Sequence, residues 1–310
     1  MLWFSILMLP VLGLTAFPFI REALRPDVAQ VRVSTSRPGQ LADLPSGKTW
    51  YNWSGPEDGR VAVCVHGLST PSFVWGAAVA ALTDQGFRVL TYDLYGRGLS
   101  DRAPGGQSGD FHLRQLNELL ADQKVADGFT LLGYSMGGAI VTCFAARAPQ
   151  RLKQAVIIAP AGLGHDLGGT SAYVTKNPGF IANWLMQTRG AAELREGIKS
   201  EAAGFTSAVP GIWDMQAEEL MIKGYIPAIT SSLQYFLRGD LRAEHETIRD
   251  ANLPLLAIWG EGDTVIPIDC RDKLAAINPD ATQVTIPAAP HGLTYTHPDD
   301  LRAALENLNG

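Results

Sequence analysis

Short hydrophobic runs alternate with longer amphipathic stretches along most of the chain. The sequence predicts strands at residues 48–54, 61–65, 88–92, 129–133, 155–159, 254–259 and 282–286. Polar and aromatic residues alternate in the first of these, and the others are nearly continuous apolar runs. Helical spacing predicts helices at residues 74–82, 111–122, 137–147, 270–277 and 299–308. Strands buried on both faces have continuous apolar sequences, and intervening helices imply parallel pairing. The pattern therefore predicts an α/β fold with a mostly parallel sheet.

The alternation stops between about residues 163 and 235, in a segment of helical character with several apolar clusters. Because this segment lies between two predicted strands of one sheet, it predicts a helical cap over the carboxyl ends of the strands, where ligands bind in open α/β sheets. Most apolar cap residues are expected to pack against the body of the protein. We expect some of the large ones to form an apolar wall of a substrate pocket, with Trp184, Trp213 and Met221 as the substrate-binding candidates among Phe180, Trp184, Met186, Trp213, Met221 and Tyr225.

The first twenty residues contain no charged side chain. As a helix they would span ~30 Å, the thickness of the hydrocarbon core of a bilayer, which predicts an N-terminal membrane anchor at residues 1–20. A signal peptide normally begins with a basic region, which is missing here, and an apolar arm packed on the main domain is the other alternative. Arg21 and Arg25 follow the apolar run, so we expect the main domain on the cytoplasmic side. Residues 21–38 are predicted to be a linker to a domain that spans residues 39–310.

Composition and charge exclude several classes of function. The chain has 310 residues, and its 25 Lys and Arg residues against 31 Asp and Glu residues give a net charge of −6, which does not predict nucleic-acid binding. A hydrophobic content of 46% is enough for a large core and excludes disorder as the main state. Cys64, Cys143 and Cys270 lie far apart, so they predict neither a disulfide framework nor a zinc site. We expect no metal and no cofactor.

The segment Gly133-Tyr134-Ser135-Met136-Gly137 is a G-x-S-x-G motif between a predicted strand and a predicted helix. This context is the one that a nucleophile elbow requires, in which a tight turn presents the serine hydroxyl at the top of the sheet. The two glycines allow the strand and the helix to approach closely. The motif therefore predicts Ser135 as a catalytic nucleophile.

A serine hydroxyl needs a general base to become a good nucleophile, and in this arrangement the histidine follows last in the chain. His291 follows the predicted strand 282–286 after a short loop, which places it at the same edge of the sheet as Ser135. His297 precedes a predicted helix, where a surface or capping role is expected. His245 lies in a charged helix and is expected to be solvated. We therefore predict His291 as the base.

The acid of the triad is expected in the loop after the predicted strand 254–259. Asp263 occupies the position that such folds use for the acid, and Glu261 is the competitor. The acid would accept the imidazole N–H and stabilise the imidazolium. An oxyanion hole needs two backbone N–H groups, for which we predict Met136, directly after the nucleophile, and Leu68, in the loop after strand 61–65. His66 is expected to tie that loop down.

From about Gly39 to the C-terminus, the sequence resembles α/β-hydrolase-fold enzymes with a helical cap, in the branch of esterases, lipases and carbon–carbon bond hydrolases. The resemblance rests on motifs in the family order: His66-Gly67, residues 93–100 (DLYGRGLS), the elbow, residues 260–267 (GEGDTVIP) and His291 seven residues before Pro298. It implies an eight-stranded sheet flanked by helices, with the cap inserted after strand 6. Pro290 departs from the family, which usually has glycine before the catalytic histidine. The expected effect of this difference is on the geometry of the loop that positions His291, not on the identity of the base. The anchor followed by this core is similar to membrane-bound monoacylglycerol lipases.

Three functions follow from these observations. The first is a serine hydrolase that cleaves carboxylic esters with apolar acyl or alcohol groups, such as monoacylglycerols, through an acyl-enzyme; its partner would be a small-molecule or lipid ester. The second is a hydrolase of carbon–carbon bonds in diketone-like substrates, whose carboxylate would require basic cap residues such as Lys176, Arg189, Arg195, Lys199 and Lys223. The third is a binding protein without catalysis, which the complete Ser, His and Asp set disfavours. A cofactor-free perhydrolase side reaction is compatible with the same residues.

Overall fold

A single eight-stranded sheet forms the centre of the protein. The computed structural model describes the backbone of residues 2–309 and the side chains of residues 13–306 and 308. Its strands are β1 (Gln40–Leu44), β2 (Gly47–Ser54), β3 (Arg60–Val65), β4 (Phe87–Tyr92), β5 (Phe129–Tyr134), β6 (Leu152–Ile158), β7 (Leu255–Gly260) and β8 (Thr282–Ile286). They are ordered β1-β2-β4-β3-β5-β6-β7-β8, with antiparallel pairing of β2 to β1 and to β4 and parallel pairing elsewhere. The predicted fold class is confirmed.

Helices flank the sheet and form the cap. They are α1 (Leu2–Ala23), α2 (Val28–Ser34), α3 (Gly76–Asp84), α4 (Gly109–Asp122), α5 (Met136–Arg147), α6 (Gly169–Lys176), α7 (Phe180–Leu185), α8 (Ala191–Gly204), α9 (Ile212–Glu219), α10 (Tyr225–Tyr235), α11 (Arg242–Asp250), α12 (Asp269–Ile277), α13 (Leu293–Thr296) and α14 (Pro298–Leu305). Short 3-10 turns occupy Ser72–Trp75, Pro149–Arg151 and Glu306–Asn309, and Met186–Gly190 is a π-helical turn between α7 and α8. Helix α5 packs between α4 and α11, whereas α3 packs against α14.

The central strands are buried on both faces, which explains their continuous apolar sequences. In β3, residues 62–65 are fully buried, and β5 and β7 are buried along their whole length. Because these strands are parallel, the loops after β3, β5, β7 and β8 all leave the same edge of the sheet. The cap helices α6–α10 are inserted between β6 and α11, as the resemblance implies.

The N-terminal segment is more ordered than the sequence predicts. Helix α1 continues through Ala23, and α2 lies inside the segment 21–38 that is predicted as a linker. Asp27 is the N-cap of α2 and forms a capping box with Gln30. Asp27 Oδ1 accepts the Ala29 N–H at 3.0 Å, and Gln30 Oε1 accepts the Asp27 N–H at 3.0 Å. Arg32 on this helix donates to the Leu99 carbonyl at 2.7 Å and pairs with Asp101 at 2.7 Å. Residues 28–34 of this segment therefore form a helix that is hydrogen-bonded to the loop after β4.

The predicted membrane anchor lies mostly outside the described side chains, which begin at residue 13. Within the part of the chain that the structure describes, no helix is both long enough and apolar enough to span a membrane. The described end of α1 contacts the cap: Arg21 donates to the Gln187 carbonyl at 2.7 Å, and Glu22 accepts the Gly224 N–H at 2.6 Å. The rings of Phe19 and Phe180 lie 5.6 Å apart. The C-terminal end of α1 is thus attached to the cap.

Candidate active site

The G-x-S-x-G motif forms the sharp turn between β5 and α5. Ser135 has φ 55° and ψ −118°, a strained conformation that a non-glycine residue adopts only where its surroundings impose it. Its N–H donates to the Ile158 carbonyl at 2.9 Å, which anchors the turn to β6. A Cβ at Gly133 would collide with the Gly137 carbonyl, and a Cβ at Gly137 would collide with the Val65 carbonyl. The glycines are therefore required for the strand, the helix and the β3 loop to meet.

The structure brings Ser135, His291 and Asp263 together. His291 Nε2 lies 2.9 Å from Ser135 Oγ, and His291 Nδ1 lies 2.7 Å from Asp263 Oδ2. The other carboxylate oxygen of Asp263 accepts the N–H groups of Val265 and Ile266, both at 2.8 Å. The Asp263 side chain is 1% exposed and that of His291 is 22% exposed. A buried acceptor on Nδ1 holds the neutral imidazole with Nε2 free to accept the serine proton.

The loop that carries His291 is held in place despite the proline before it. Tyr134 Oη donates to the His291 carbonyl at 2.9 Å. Glu261, the competitor for the acid, accepts the Ala288 N–H at 3.1 Å and so braces the same loop from the β7 side. Ala288 has φ 55°, which turns the chain before Pro290. The substitution of proline for the family's glycine therefore leaves the base within hydrogen-bond distance of both partners.

The remaining histidines that the sequence singles out have other surroundings. His297 is the N-cap residue of α14, and its Nδ1 lies 2.9 Å from Thr296 Oγ1. His245 is fully buried, which corrects the expectation that it is solvated, and burial lowers its pKa to about 4. The reason is that α11 packs against α5, and His245 shares the buried face of α11 with Ile248 three residues later.

The two predicted oxyanion donors belong to segments that meet at Ser135. Met136 is the first residue of α5 and directly follows the nucleophile. On the other side, a Cβ on Gly67, the residue before Leu68, would lie 3.2 Å from Ser135 Cβ. His66 ties this loop down, because its Nε2 accepts the Leu94 N–H at 2.8 Å and its Nδ1 lies 2.9 Å from the Gly67 carbonyl. Burial lowers the pKa of His66 to about 4, so it stays neutral. The oxyanion role stays a prediction.

A buried polar network joins the loop after β4 to the cap. Arg97 is fully buried, donates to Ser232 Oγ of α10 at 2.8 Å and to the Leu68 carbonyl at 3.0 Å, and burial lowers its pKa to about 9. Glu219 of α9 accepts the Gly98 N–H at 2.8 Å. Residues 96–98 are therefore structural, and they fix the cap relative to the loop that carries Leu68.

A cavity of about 490 Å³ lies between the cap and the edge of the sheet and reaches His291. Its lining combines apolar cap residues with many polar groups: Ser69, Thr70, Tyr134, Leu167, Ser171, Glu193, Leu194, Gly197, Ile198, Ser200, Glu201, Phe205, Gln216, Leu220, Tyr225, Thr264, Val265, Pro290, His291, Gly292 and Tyr295. The acidic members of this described lining are Glu193 and Glu201, and it contains no Lys or Arg.

The lining differs from the one that the sequence predicts. Trp184 lies on the outer side of the cap with its Nε1 3.5 Å from the Leu14 carbonyl. Trp213 packs edge-on behind Tyr295, with ring centroids 5.5 Å apart, and Met221 is 52% exposed beside Arg195. None of the three is a lining residue. Helix packing, which a sequence does not reveal, keeps Trp184 and Trp213 out of the lining, whereas Met221 lies in the exposed turn between α9 and α10.

The apolar wall comes instead from smaller residues. Leu194 and Ile198 of α8, together with Phe205 and Leu220, supply the apolar cap surface of the cavity. Of the wider set of large cap residues, Tyr225 is the one that lines it, with its hydroxyl donating to the Ser69 carbonyl at 2.6 Å. Sequence reasoning also misses Glu201, because α8 carries several charged residues and nothing local distinguishes the inward one.

Comparison with known proteins identifies a family and several relatives of this chain. The model of the alpha/beta hydrolase fold family matches residues 61–298. The chain is 28% identical over 273 residues to a non-heme chloroperoxidase of Kitasatospora aureofaciens, which covers 81% of this chain and 93% of that relative. It is 25% identical over 272 residues to the pimeloyl-acyl-carrier-protein methyl ester esterase of Aliivibrio salmonicida, which covers 83% of this chain and 94% of that relative.

Solved structures share the fold. The enol-lactonase from Burkholderia xenovorans is similar with a TM-score of 0.71 and 21% identity, over 86% of this chain and 98% of that one. At this level of identity the likeness concerns the fold alone. The chemistry must therefore be argued from the residues that surround Ser135.

Proposed function

Because the chain belongs to the α/β hydrolase fold family, we propose that it is a serine hydrolase that cleaves carboxylic esters with an apolar acyl group through an acyl-enzyme. The observation that carries the proposal is the relay from Ser135 Oγ to His291 Nε2 at 2.9 Å and from His291 Nδ1 to Asp263 at 2.7 Å. Labelling with a fluorophosphonate tests it, because this reagent reacts with an activated serine.

The proposed mechanism has two steps. Ser135 Oγ attacks the ester carbonyl while His291 Nε2 takes its proton, and the oxyanion is stabilised by the N–H groups of Leu68 and Met136. His291 then donates that proton to the leaving alcohol oxygen as the carbon–oxygen bond breaks. A water molecule, deprotonated by His291, next attacks the acyl carbon, the bond between that carbon and Ser135 Oγ breaks, Ser135 Oγ receives the proton from His291, and the carboxylic acid leaves. Hydrogen peroxide can replace this water in the same site, which is compatible with the likeness to a chloroperoxidase.

The charge of the cavity argues against the carbon–carbon hydrolase alternative. A diketone-like substrate with a carboxylate needs a basic group beside it, and none of the described lining residues is Lys or Arg. The basic candidates Lys176, Arg189, Arg195, Lys199 and Lys223 are not among the lining residues. Glu193 and Glu201 would repel an anionic substrate. The cavity thus favours neutral or cationic esters.

Esters of medium chain length are expected to be better substrates than acetate esters. Burial of each CH₂ group against the apolar wall is worth up to ~0.8 kcal/mol, so kcat/KM should rise nearly fourfold per methylene until the cavity is full. A series of 4-nitrophenyl esters from acetate to decanoate measures this.

Two matched variants locate the acyl site. Ile198→Trp fills the cavity and should move the optimum to shorter chains, whereas Ile181→Trp, at a residue 64% exposed outside the cavity, should leave the series unchanged. A series that peaks at acetate in the wild type, or an Ile198→Trp profile that matches the wild type, contradicts the assignment.

Membrane attachment through residues 1–20, with the domain on the cytoplasmic side, is part of the proposal. It rests on the uncharged sequence and on exposed apolar side chains at the described end of α1 and on the adjacent α7. Leu14 and Phe17 are 71% and 61% exposed, and Phe180 and Ile181 are 63% and 64% exposed. Such a contiguous apolar surface is unusual in contact with water. A bilayer location would favour lipid esters such as monoacylglycerols, in line with the resemblance to their lipases.

Deletion of residues 1–20 is expected to release the protein from membranes and leave its activity unchanged on a water-soluble ester. The deletion keeps Arg21 and Glu22, which hold the cap through Gln187 and Gly224. Sedimentation with vesicles and the rate on 4-nitrophenyl butyrate measure both effects. Full-length, uncleaved protein in the soluble fraction of cells would refute the anchor.

A further inference from the structure

The two carboxylates of the cavity differ in their partners. Glu193 accepts the N–H and the hydroxyl of Thr170 at 2.9 and 3.0 Å and pairs with Arg189 at 2.9 Å. Within the described residues, Glu201 takes part in no ion pair, and its hydrogen bonds come from the hydroxyl of Tyr295, 3.0 Å from each carboxylate oxygen. Burial raises the pKa of Glu201, and the hydrogen bond from Tyr295 opposes this shift. Glu201 is therefore the carboxylate that retains unused acceptor capacity.

Glu201 lies directly against the loop that carries His291. A Cβ on Gly292, the residue after His291, would collide with Glu201 Oε1, so glycine at this position makes room for the carboxylate. Tyr295, which bonds Glu201, is backed by the edge-on ring of Trp213. The carboxylate is thus held in a defined position by a side chain that is itself packed.

Glu201 lies on the same side of the cavity as the base, because it contacts the residue that follows His291. The leaving oxygen must come within hydrogen-bond distance of His291 Nε2 to receive its proton. An alcohol group bound to that oxygen would therefore lie near His291, and one that extends toward Gly292 would reach Glu201. A ligand that places a hydrogen-bond donor against a partly buried acceptor binds more tightly. A ligand that presents only CH groups leaves the acceptor without a partner and binds less tightly.

We propose that Glu201 is a specificity-determining residue that accepts a hydrogen bond from a hydroxyl or ammonium group on the alcohol part of the ester. The substrates would then be esters of polyols or amino alcohols with an apolar acyl chain. This inference rests on the proposed ester hydrolysis and narrows its substrate class. Hydroxyl and ammonium groups share the donor chemistry, and the test separates them.

The test compares octanoate esters that share one acyl chain and differ in the alcohol: glyceryl, 3-aminopropyl, propyl and 3-carboxypropyl. A hydrogen bond to a charged group is worth about 1.5–3 kcal/mol, so wild-type kcat/KM for the preferred donor ester should exceed that for the propyl ester by about 10- to 100-fold. The 3-carboxypropyl ester should be the poorest. If kcat/KM is higher for the aminopropyl ester than for the glyceryl ester, the alcohol part of the substrate is an amino alcohol. If the order is reversed, the alcohol part is a polyol.

Variants decide whether Glu201 is responsible. Glu201→Leu should remove the donor preference and leave propyl ester hydrolysis within a few-fold of the wild type, and the isosteric Glu201→Gln should lose most of the ammonium preference. Glu196→Gln makes the same charge change on the same helix, at an exposed residue that does not line the cavity, and should keep the wild-type ratios. A merely structural role would lower all four rates together rather than change their ratio.

Two results would overturn the inference and leave the proposed function intact. One is a wild-type enzyme that hydrolyses the propyl ester as fast as both donor esters. The other is a Glu201→Leu protein that hydrolyses the propyl ester and keeps the donor preference. In contrast, wild-type protein that hydrolyses none of the esters and is not labelled by a fluorophosphonate would contradict the proposed function itself.

Discussion

Replacement of Ser135 by alanine is expected to lower kcat/KM for ester hydrolysis by on the order of 10⁴- to 10⁶-fold, the range seen when a triad nucleophile is removed. The hydroxyl is the atom that attacks the carbonyl, and no neighbouring group can replace it at the same point of the elbow. Initial rates on 4-nitrophenyl butyrate measure the loss, and fluorophosphonate labelling should disappear with it.

The fold should survive this change, because the elbow is held by backbone contacts. The Ser135 N–H still bonds the Ile158 carbonyl, and its carbonyl still accepts the Ala161 N–H at 3.1 Å. Ser200→Ala removes another serine that lines the cavity and should keep wild-type activity. A folded Ser135→Ala protein, with an unchanged thermal midpoint and full activity, would end the serine-hydrolase proposal.

His291→Ala is expected to reduce kcat/KM by at least about 10⁴-fold, whereas His297→Ala should stay within a few-fold of the wild type. His291 takes the Ser135 proton and later protonates the leaving oxygen, while His297 lies at the start of α14 against Thr296.

The same assay on both histidine variants checks the assignment. His297→Ala is the matched control, since it removes an imidazole six residues further along the same segment. An inactive His297→Ala protein together with an active His291→Ala protein would show that the base is misassigned and that the loop after β8 is not in its catalytic arrangement.

The elements that the sequence predicts well are those with strong local patterns. Strands β3 to β7 contain continuous apolar runs because the parallel sheet buries both of their faces, whereas the edge strand β8 is only partly buried. Strand β1, with the sequence QLADL, is missed, because it is short and lies at the sheet edge with an alternating burial pattern. Helix α2 is also missed, although Asp27 and Gln30 have the spacing of a capping box.

The catalytic candidates could be chosen from the sequence because each stands next to a strand end in a recognisable local motif. Strand ends of a parallel sheet meet at one edge, so positions as far apart as Ser135 and His291 can be assigned to one place without coordinates. The choice of Asp263 over Glu261 also follows local position, and the structure gives each a separate partner, His291 and Ala288.

The cap shows the opposite behaviour. Its sequence indicates helices but not their rotation about their axes, and that rotation decides which side chains reach the cavity. Trp184 and Trp213 do not line the cavity for this reason, and His245, on the core helix α11, is buried for the same reason. Met221 lies in the turn between α9 and α10 and is 52% exposed. Large aromatic residues are the natural candidates for a pocket wall, yet burial between helices stabilises them equally well.

By itself, therefore, the sequence determined the α/β fold class, the insertion of a cap between two strands of the sheet, and the three residues that come together at the elbow, because all of these depend on short-range patterns and on the common direction of parallel strands. Only the tertiary structure decided the docking of α2 and the end of α1, the lining of the cavity and the place of Glu201 beside Gly292. These depend on contacts between residues that are distant in the chain, and such contacts leave no local pattern in the sequence.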